Sequence, residues 1–319
     1  MHRRSLHLGL GFTALLALAA CNRNREPVAP PATTPEGAVR AALVLTRNGD
    51  FDGLMRSTLP DADYKAWRAE WERARAKQPP PTPQQRAQFA QMMQKLTEPG
   101  AEDKLYKQLQ PQLADLRAHR TQNLPMLIGI LQAAGNNVVA NAGGLSAAQK
   151  QQATEAVQAL ADWAQQHADF ADEAKAKEAI AVVCDTARKL DLKTLDQARA
   201  LNYEQTMAGY RAAWDGLKRL LKVYGLDLDA SFDQAKLETL GNDGSHARVR
   251  ETFTLAGKAI VSKIDLVMQN GHWYDADRLA AWRAKQQSPG TSGSAGAEQP
   301  VVPPAPAVTA PAQAGSAVH

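Results

Sequence analysis

Apolar residues recur at the three- and four-residue spacing of amphipathic helices through most of the chain from residue 36 to residue 225. Thr34-Pro35-Glu36 predicts a helix start, and Asn48-Gly49 predicts the end of that helix. Asp61 opens a further helix, and the proline-rich segment 79–83 interrupts the pattern. Three later stripes have the same spacing: Phe89, Met92, Met93 and Leu96; Leu105, Leu109, Leu113 and Leu116; and Leu124, Leu127, Ile128 and Leu131.

Capping and turn residues divide the rest of this helical region. The stretch 135–144, which is rich in Gly and Asn, predicts a loop, and Ser146 with Gln149 predicts a capping box for the helix that follows it. Asp169 predicts the start of another helix. Thr194 predicts the start of one long helix that ends at Tyr224-Gly225.

The pattern changes to alternating apolar and polar residues after Leu226. Segments 236–240, 247–255, 259–268 and 273–274 have the character of strands, and the Gly- and Asn-containing joints between them are typical of hairpins. The predicted fold class is therefore α+β and predominantly helical. It consists of a helical block, a small C-terminal antiparallel sheet of three to four strands, and a short helix over 277–285.

The end of this sheet region resembles a known family. The run Asp265 to Tyr274, a strand followed by Asn270-Gly271 and Trp273-Tyr274, is similar to the last segment of nuclear-transport-factor-2-like (cystatin-like) domains. With the first helices, the resemblance covers roughly residues 36–77 and 232–276. It implies a cone in which a curled sheet packs on helices around a pocket, with the intervening helices as a large insertion. No catalytic set of that family can be carried over to residues of this chain.

The first residues predict export. The basic start Met1-His2-Arg3-Arg4-Ser5 precedes an apolar run over 6–20 that is too short for a membrane span of about 20 residues. The junction Leu18-Ala19-Ala20-Cys21 resembles the lipobox of bacterial lipoproteins. The resemblance implies a signal peptide over 1–20, diacylglycerol on the Cys21 thiol, and an acyl chain such as palmitate on the new amine. Two or three chains make a stable anchor. An ordinary secretory signal with an unmodified Cys21 is the alternative.

The same resemblance bears on localisation and on domain boundaries. Asn22 stands where aspartate marks retention in the inner membrane, which favours the outer membrane, on the side that faces the periplasm. Residues 21–35 are interpreted as a lipidated cysteine and a proline-rich tether, and residues 286–319, which carry Glu298 as their one charged residue, as a disordered tail. The folded domain is therefore predicted over 36–285.

Composition and the remaining motifs exclude several functions. A formal net charge of +4 is too weak to indicate a nucleic-acid groove, so no nucleic-acid partner is expected. Cys184 shares a helix face with apolar neighbours and is predicted to be a buried thiol. His167, Asp169 and Asp172 come nearest to a metal cluster, but aspartates at a helix junction are usually caps. No catalytic, cofactor-binding or metal-binding residue is predicted.

Two features remain as candidate binding elements. Tyr64, Trp67 and Trp71 form an aromatic stripe beside basic residues, which we interpret as a core face, with an anionic surface as the alternative. Glu251 lies between Val249 and Phe253 on the apolar face of a strand. It is a candidate pocket carboxylate with a raised pKa, unless it lies at a sheet edge or a bulge turns it toward water.

These observations predict a lipid-anchored cell-envelope protein that acts as a non-catalytic binding or interaction module in the periplasm. The expected contacts are the membrane, through Cys21, and a protein partner. One alternative is an inhibitor or immunity lipoprotein directed against a periplasmic toxin. Another is a small-molecule-binding, hydrolase or isomerase domain with a pocket in the C-terminal sheet.

Overall fold

The computed structural model describes residues 32–142 and 147–287. The signal peptide, Cys21, most of the tether, Ser146 and the tail from residue 288 lie outside the described residues, so the interpretations placed on them stay predictions. Within the described part the fold is α+β and mainly helical, with a four-stranded antiparallel sheet near its C-terminal end, which confirms the predicted fold class.

The described helices precede the sheet, apart from one that follows it. They are α1 (Pro35–Arg47), α2 (Phe51–Thr58), α3 (Asp61–Ala76), α4 (Pro83–Thr97), α5 (Ala101–Ala118), α6 (Arg120–Asn141), α7 (Ala147–Gln166), α8 (Glu173–Leu190), α9 (Leu195–Ala200), α10 (Tyr203–Val223), α11 (Leu228–Asp233) and α12 (Ala276–Gln287). None of these described helices has both the length and the apolar character that crossing a membrane requires.

Two predicted helix starts, those of α1 and α3, are found in the structure, and α1 has a side-chain cap. The Thr34 hydroxyl accepts a hydrogen bond of 3.1 Å from the Gly37 N–H, and α1 ends at the predicted Asn48. α3 begins at Asp61, as predicted. Asp172, rather than Asp169, caps α8, because its carboxylate accepts a hydrogen bond of 2.8 Å from the Lys175 N–H.

The predicted loop over 135–144 is wrong as far as residue 141, because α6 continues through Asn141. Gly135 has a packing role, since a Cβ added to it would lie 3.1 Å from a methyl carbon of Val157 on α7. The Asn141 amide also donates a hydrogen bond of 3.0 Å to Asn137, one helical turn earlier. Close packing of α7 therefore outweighs the low helix propensity of this stretch.

The single long helix predicted from Thr194 is also wrong, because the segment forms α9 and α10. Asn202 begins the second helix, and with Gln205 it forms a capping box that matches the one between Thr194 and Gln197. Leu201, between the two helices, has an extended backbone. α2 and α11 were not predicted, although Asp50 and Asp227 cap them through their side chains.

The sheet contains β1 (Lys236–Asn242), β2 (His246–Leu255), β3 (Lys258–Gln269) and β4 (His272–Asp275), paired antiparallel in chain order. The last joint is Asn270-Gly271, as predicted, and both residues have positive φ angles, 53° and 81°. That geometry is typical of a tight two-residue hairpin turn.

Helices pack against both faces of this sheet. On one face, Val39 of α1 packs with Val249, Leu266 and Trp273. Farther along the same face, Leu255 and Ile260 pack against α7 and α11 through Ala159, Trp163 and Leu228. On the opposite face, Val267 contacts the cluster of Leu59, Tyr64, Leu279 and Trp282.

The helical block is built around α8. α4 and α5 pack on α8 from one side and α10 from another, with Phe89, Met93, Ala187 and Leu190 in one of the cores. α6 packs mainly on α7, through Leu124, Ile128 and Ala161, and forms an outer helix of the block.

Candidate functional site

Glu251 lies on an interior strand with its side chain on the buried face. The residue is 6% exposed and pairs with Ser262 across the β2–β3 ladder. The edge and bulge alternatives are therefore wrong, because β2 lies between β1 and β3 and the register break occurs in β1, between Thr239 and Gly241. Its placement on the apolar face is confirmed, while its role as a pocket carboxylate stays a prediction.

The surroundings of Glu251 favour its protonated form. Burial raises the pKa of this carboxyl group, and the hydrogen bond from Ser262 and the positive charge of Arg40 oppose the rise. The Ser262 hydroxyl donates that hydrogen bond over 3.0 Å. The carboxyl group thus lies between the two apolar clusters of this sheet face and already has a partner within the chain.

A second carboxylate, Asp52 on α2, is held by three side chains. It accepts hydrogen bonds from the phenols of Tyr64 on α3 and Tyr203 on α10, and the Arg56 guanidinium donates to it over 2.9 Å. Both tyrosines are buried. Burial and the Asp52 carboxylate raise the pKa values of both phenols. No sequence pattern connected Asp52 with Tyr203, because the two residues lie 151 positions apart.

The aromatic stripe of α3 belongs to the same cluster. Tyr64 is buried and stacks on Trp67, with the ring centroids 6.2 Å apart, which confirms the interpretation as a core face. The Arg68 guanidinium lies 4.6 Å from the centroid of the Tyr203 ring and also pairs with Glu72 and Glu204. This basic side chain is therefore engaged within the chain.

An open cleft of about 510 Å³ lies where α5 meets α6, beside the loop that precedes α8. Its charged lining is partly occupied: Arg117 donates to the Ala171 carbonyl at 2.8 Å, and Asp169 and Asp172 accept from backbone N–H groups. His167 is exposed, and no group of three His, Cys, Asp or Glu residues suited to a metal ion is found in the described chain.

Two further features lie apart from that cleft. A smaller apolar notch of about 200 Å³ is lined by Phe51, Tyr210, Ala213 and Trp214. Cys184 is fully buried, and burial, assisted by the negative charge of Glu102, raises the pKa of its thiol to about 11. The prediction of a buried thiol is confirmed.

The most exposed apolar surface of the described chain belongs to α6. Five of its side chains are large, apolar and substantially exposed, and we call them the α6 face: Met126 (62%), Leu127 (41%), Ile130 (49%), Leu131 (49%) and Val138 (59%). The other exposed large apolar side chains, Val44, Leu240 and Val261, lie on three separate elements. Arg120, the first residue of α6, is the helix's one charged residue.

The α6 face corrects one expectation from the sequence. The sequence spacing predicts one buried stripe of Leu124, Leu127, Ile128 and Leu131, but only Leu124 and Ile128 are buried. At about 100° per residue, Leu127 and Leu131 turn away from α7. The helix therefore has an inner apolar face that is packed and an outer apolar face that nothing in the described chain covers.

Three features among the described residues are candidate binding sites: the buried Glu251 carboxyl group in the sheet, the cleft of mixed charge, and the uncharged α6 face. Glu251 and several charged side chains of the cleft already have hydrogen-bond partners within the chain. The α6 face is the one whose side chains remain open to a partner outside it. Comparison of the chain with protein-family models, with curated proteins and with solved structures gave no match.

Proposed function

We propose that this is a lipid-anchored cell-envelope protein whose folded domain is a non-catalytic interaction module, with the α6 face as its docking surface for a protein partner. The anchor is supported by the sequence Leu18-Ala19-Ala20-Cys21 at the end of a basic and then apolar leader. Asn22 supports the outer membrane, facing the periplasm, as its location.

The single observation that carries the interaction function is the composition and exposure of the α6 face. Burial of apolar surface stabilises a contact by roughly 25 cal/mol per Å², so five large exposed apolar side chains on one helix favour association. The core of a protein interface is apolar and poor in charged residues. α6 fits that description, because Arg120 at its first position is its one charged residue.

The side chains that could act as an acid, a base or a nucleophile support binding rather than catalysis, because they are engaged or buried within the chain. Glu251 is hydrogen-bonded to Ser262, and Asp52 accepts hydrogen bonds from two phenols. The Cys184 thiol is fully buried, with a pKa of about 11, whereas a nucleophilic cysteine needs an accessible thiolate.

Cell fractionation of the full-length chain tests the anchor. Wild-type protein should sediment with the envelope membranes, and Cys21→Ala should lose that association. An unchanged membrane fraction for Cys21→Ala would show that another segment supplies the attachment.

Site-specific photo-crosslinking in intact cells tests the docking surface. A photoreactive residue at Ile130 should give one defined crosslinked product, and the same probe at Val261, which is 48% exposed on β3, should give none. The additional substitution Leu131→Glu should abolish the product. A product that is equally strong from Ile130 and Val261, or unchanged by Leu131→Glu, would contradict the proposed surface.

A further inference from the structure

We infer that the partner of the α6 face is a second copy of this chain, packed against it as an antiparallel helix pair about a twofold axis near Ile130 and Leu131. This inference rests on the proposed function and names the occupant of its docking surface. Isologous pairing about a twofold axis is the commonest arrangement of soluble oligomers.

The spacing of the outer residues fits such a pair. α6 has 22 residues, and Ile130 and Leu131 lie at its middle. Leu127, Leu131, Ala134 and Val138 follow one another at intervals of four, three and four residues, which is the spacing of a helix–helix seam. A twofold axis at the middle brings the two copies of Leu131 together. It also sets Leu127 beside Ala134, and Val138 beside Asn123, of the second copy.

The charge distribution selects the antiparallel orientation. Arg120 is at the first position of α6, and it has no ion pair or hydrogen bond within the described chain. A parallel pair would set two Arg120 side chains next to each other. An antiparallel pair separates them by about 30 Å and brings each toward the C-terminal end of the other helix, where the helix dipole is negative.

The near absence of charged residues on α6 also disfavours a lipid bilayer as the partner of the α6 face. Helices that lie in a membrane surface usually carry several Lys and Arg residues on their polar face. α6 has no Lys and no acidic residue, and its polar positions are mostly Asn and Gln. An uncharged face is complementary to a copy of itself, because twofold apposition brings no like charges together at its centre.

The location of α6 leaves this face accessible to a second copy. Its inner residues Leu124 and Ile128 pack on Ala161 of α7, and Gln132 contacts Gln158 of α7. The outer side chains therefore project away from the rest of the helical block. Attachment of both copies to one membrane raises their effective concentration, so a modest contact area is sufficient.

Disulfide crosslinking of the full-length chain in native membranes tests both the pairing and its direction. Cys184 is buried, and the proposed lipid occupies Cys21, so an introduced thiol is the reactive one. Under mild oxidation, Leu131→Cys should convert most of the protein to a band of twice the mass. Val138→Cys alone should not, because an antiparallel pair places its two copies about 22 Å apart. Combining Val138→Cys with Asn123→Cys should restore the crosslink.

A matched control and three results that would overturn the inference complete this experiment. Val261→Cys, on β3, should remain monomeric. Efficient crosslinking by Val138→Cys alone would overturn the antiparallel arrangement, and monomers at every α6 position would overturn the inference as a whole. If the photoreactive residue at Ile130 crosslinks to a protein of different mass and no disulfide dimer forms, the inference is overturned and the proposed function stays intact.

A measurement in solution separates a second copy from a bilayer. Unlipidated Cys21→Ala protein should show a concentration-dependent dimer in sedimentation equilibrium. Ile130→Glu should weaken the dimer at least tenfold, with an unchanged circular dichroism spectrum. If this protein is monomeric and instead floats with phosphatidylethanolamine–phosphatidylglycerol vesicles in a manner that Ile130→Glu abolishes, the occupant is the bilayer and the inference is overturned.

Discussion

The phenol of Tyr203 on α10 donates a hydrogen bond of 2.9 Å to the carboxylate of Asp52 on α2. The same carboxylate accepts the phenol of Tyr64 on α3, so one acidic side chain joins three helices. Both phenols are buried, and their raised pKa values keep them protonated as donors at neutral pH. The packing of α2 and α3 on α10 therefore depends on a charge-assisted network as well as on apolar contact.

Removal of one phenol should measure the strength of this network. We expect Tyr203→Phe to lower the free energy of unfolding by about 1–3 kcal/mol, because it leaves a partly buried carboxylate with one donor fewer. Urea denaturation of wild type, Tyr203→Phe, Tyr64→Phe and the double variant gives the coupling between the two phenols. Tyr224→Phe is the matched control, because its hydroxyl makes no hydrogen bond within the described chain. An equal loss in Tyr224→Phe would contradict the assignment.

A glycine on α10 should prove intolerant of even one added methyl group. A Cβ on Gly216 would lie 2.7 Å from Cγ2 and 3.1 Å from Cβ of Thr186 on α8. We expect Gly216→Ala to destabilise the fold by about 1–3 kcal/mol through overpacking. Adding Thr186→Ala to Gly216→Ala should recover part of this loss.

Gly129→Ala supplies the control for that variant, because nothing lies within 4 Å of the Cβ position of this helical glycine. Here alanine should raise the free energy of unfolding by about 0.5–1 kcal/mol, since it restricts the unfolded chain and favours the helix. Thermal unfolding distinguishes the two, and equal shifts in melting temperature would contradict the close approach of α8 and α10.

The Glu251 carboxyl group should make stability fall as the pH rises. Because burial raises its pKa in the folded chain, the unfolded chain loses this proton first. Its contribution to stability is therefore complete below the unfolded pKa and is lost as the pH rises through the folded pKa. Glu251→Gln stays neutral at all pH values, so it should be more stable than wild type at pH 8, with the difference vanishing near pH 4.

Urea titrations of both proteins from pH 4 to pH 8 measure that difference. Glu238→Gln, on the exposed part of β1, serves as the control for loss of a negative charge. A stability difference between wild type and Glu251→Gln that is independent of pH would show that the residue does not titrate over this range.

The Cys184 thiol should be inert in the folded chain. A shift of its pKa from 9.0 to about 11 lowers the thiolate fraction at pH 8 about 100-fold, and burial blocks access of the reagent as well. Ellman's reagent should therefore react at this position only after denaturation in urea. Rapid labelling under native conditions would show that α8 opens readily at this point.

The features that were predictable from the sequence are those that neighbouring residues determine. The hairpin at Asn270-Gly271 depends on two adjacent residues that adopt positive φ angles, and the start of α1 depends on Thr34 and Gly37. Alternation along β2 placed Glu251 on the correct face, because the side-chain direction in a strand has a period of two.

The features that were missed depend on contacts between distant segments. Gly135 belongs to a helix because Val157 of another helix packs against it, and the local sequence cannot show this. Asp52 and Tyr203 meet only because α2, α3 and α10 pack together. The outer face of α6 was concealed by its composition, since Leu127 and Leu131 look the same in the sequence as the buried Leu124 and Ile128.

The packing of the first helix on the last strands has a consequence for the order in which parts of this domain fold. Val39 finds its partners in Val249, Leu266 and Trp273, and the Ala32 carbonyl accepts a hydrogen bond of 3.3 Å from the Trp273 N–H. The apolar side of α1 therefore lacks its native contacts until it meets strands that lie more than 200 residues later in the sequence. Formation of this core is thus a late event in folding, because it brings together the first helix and the last strands of the described domain.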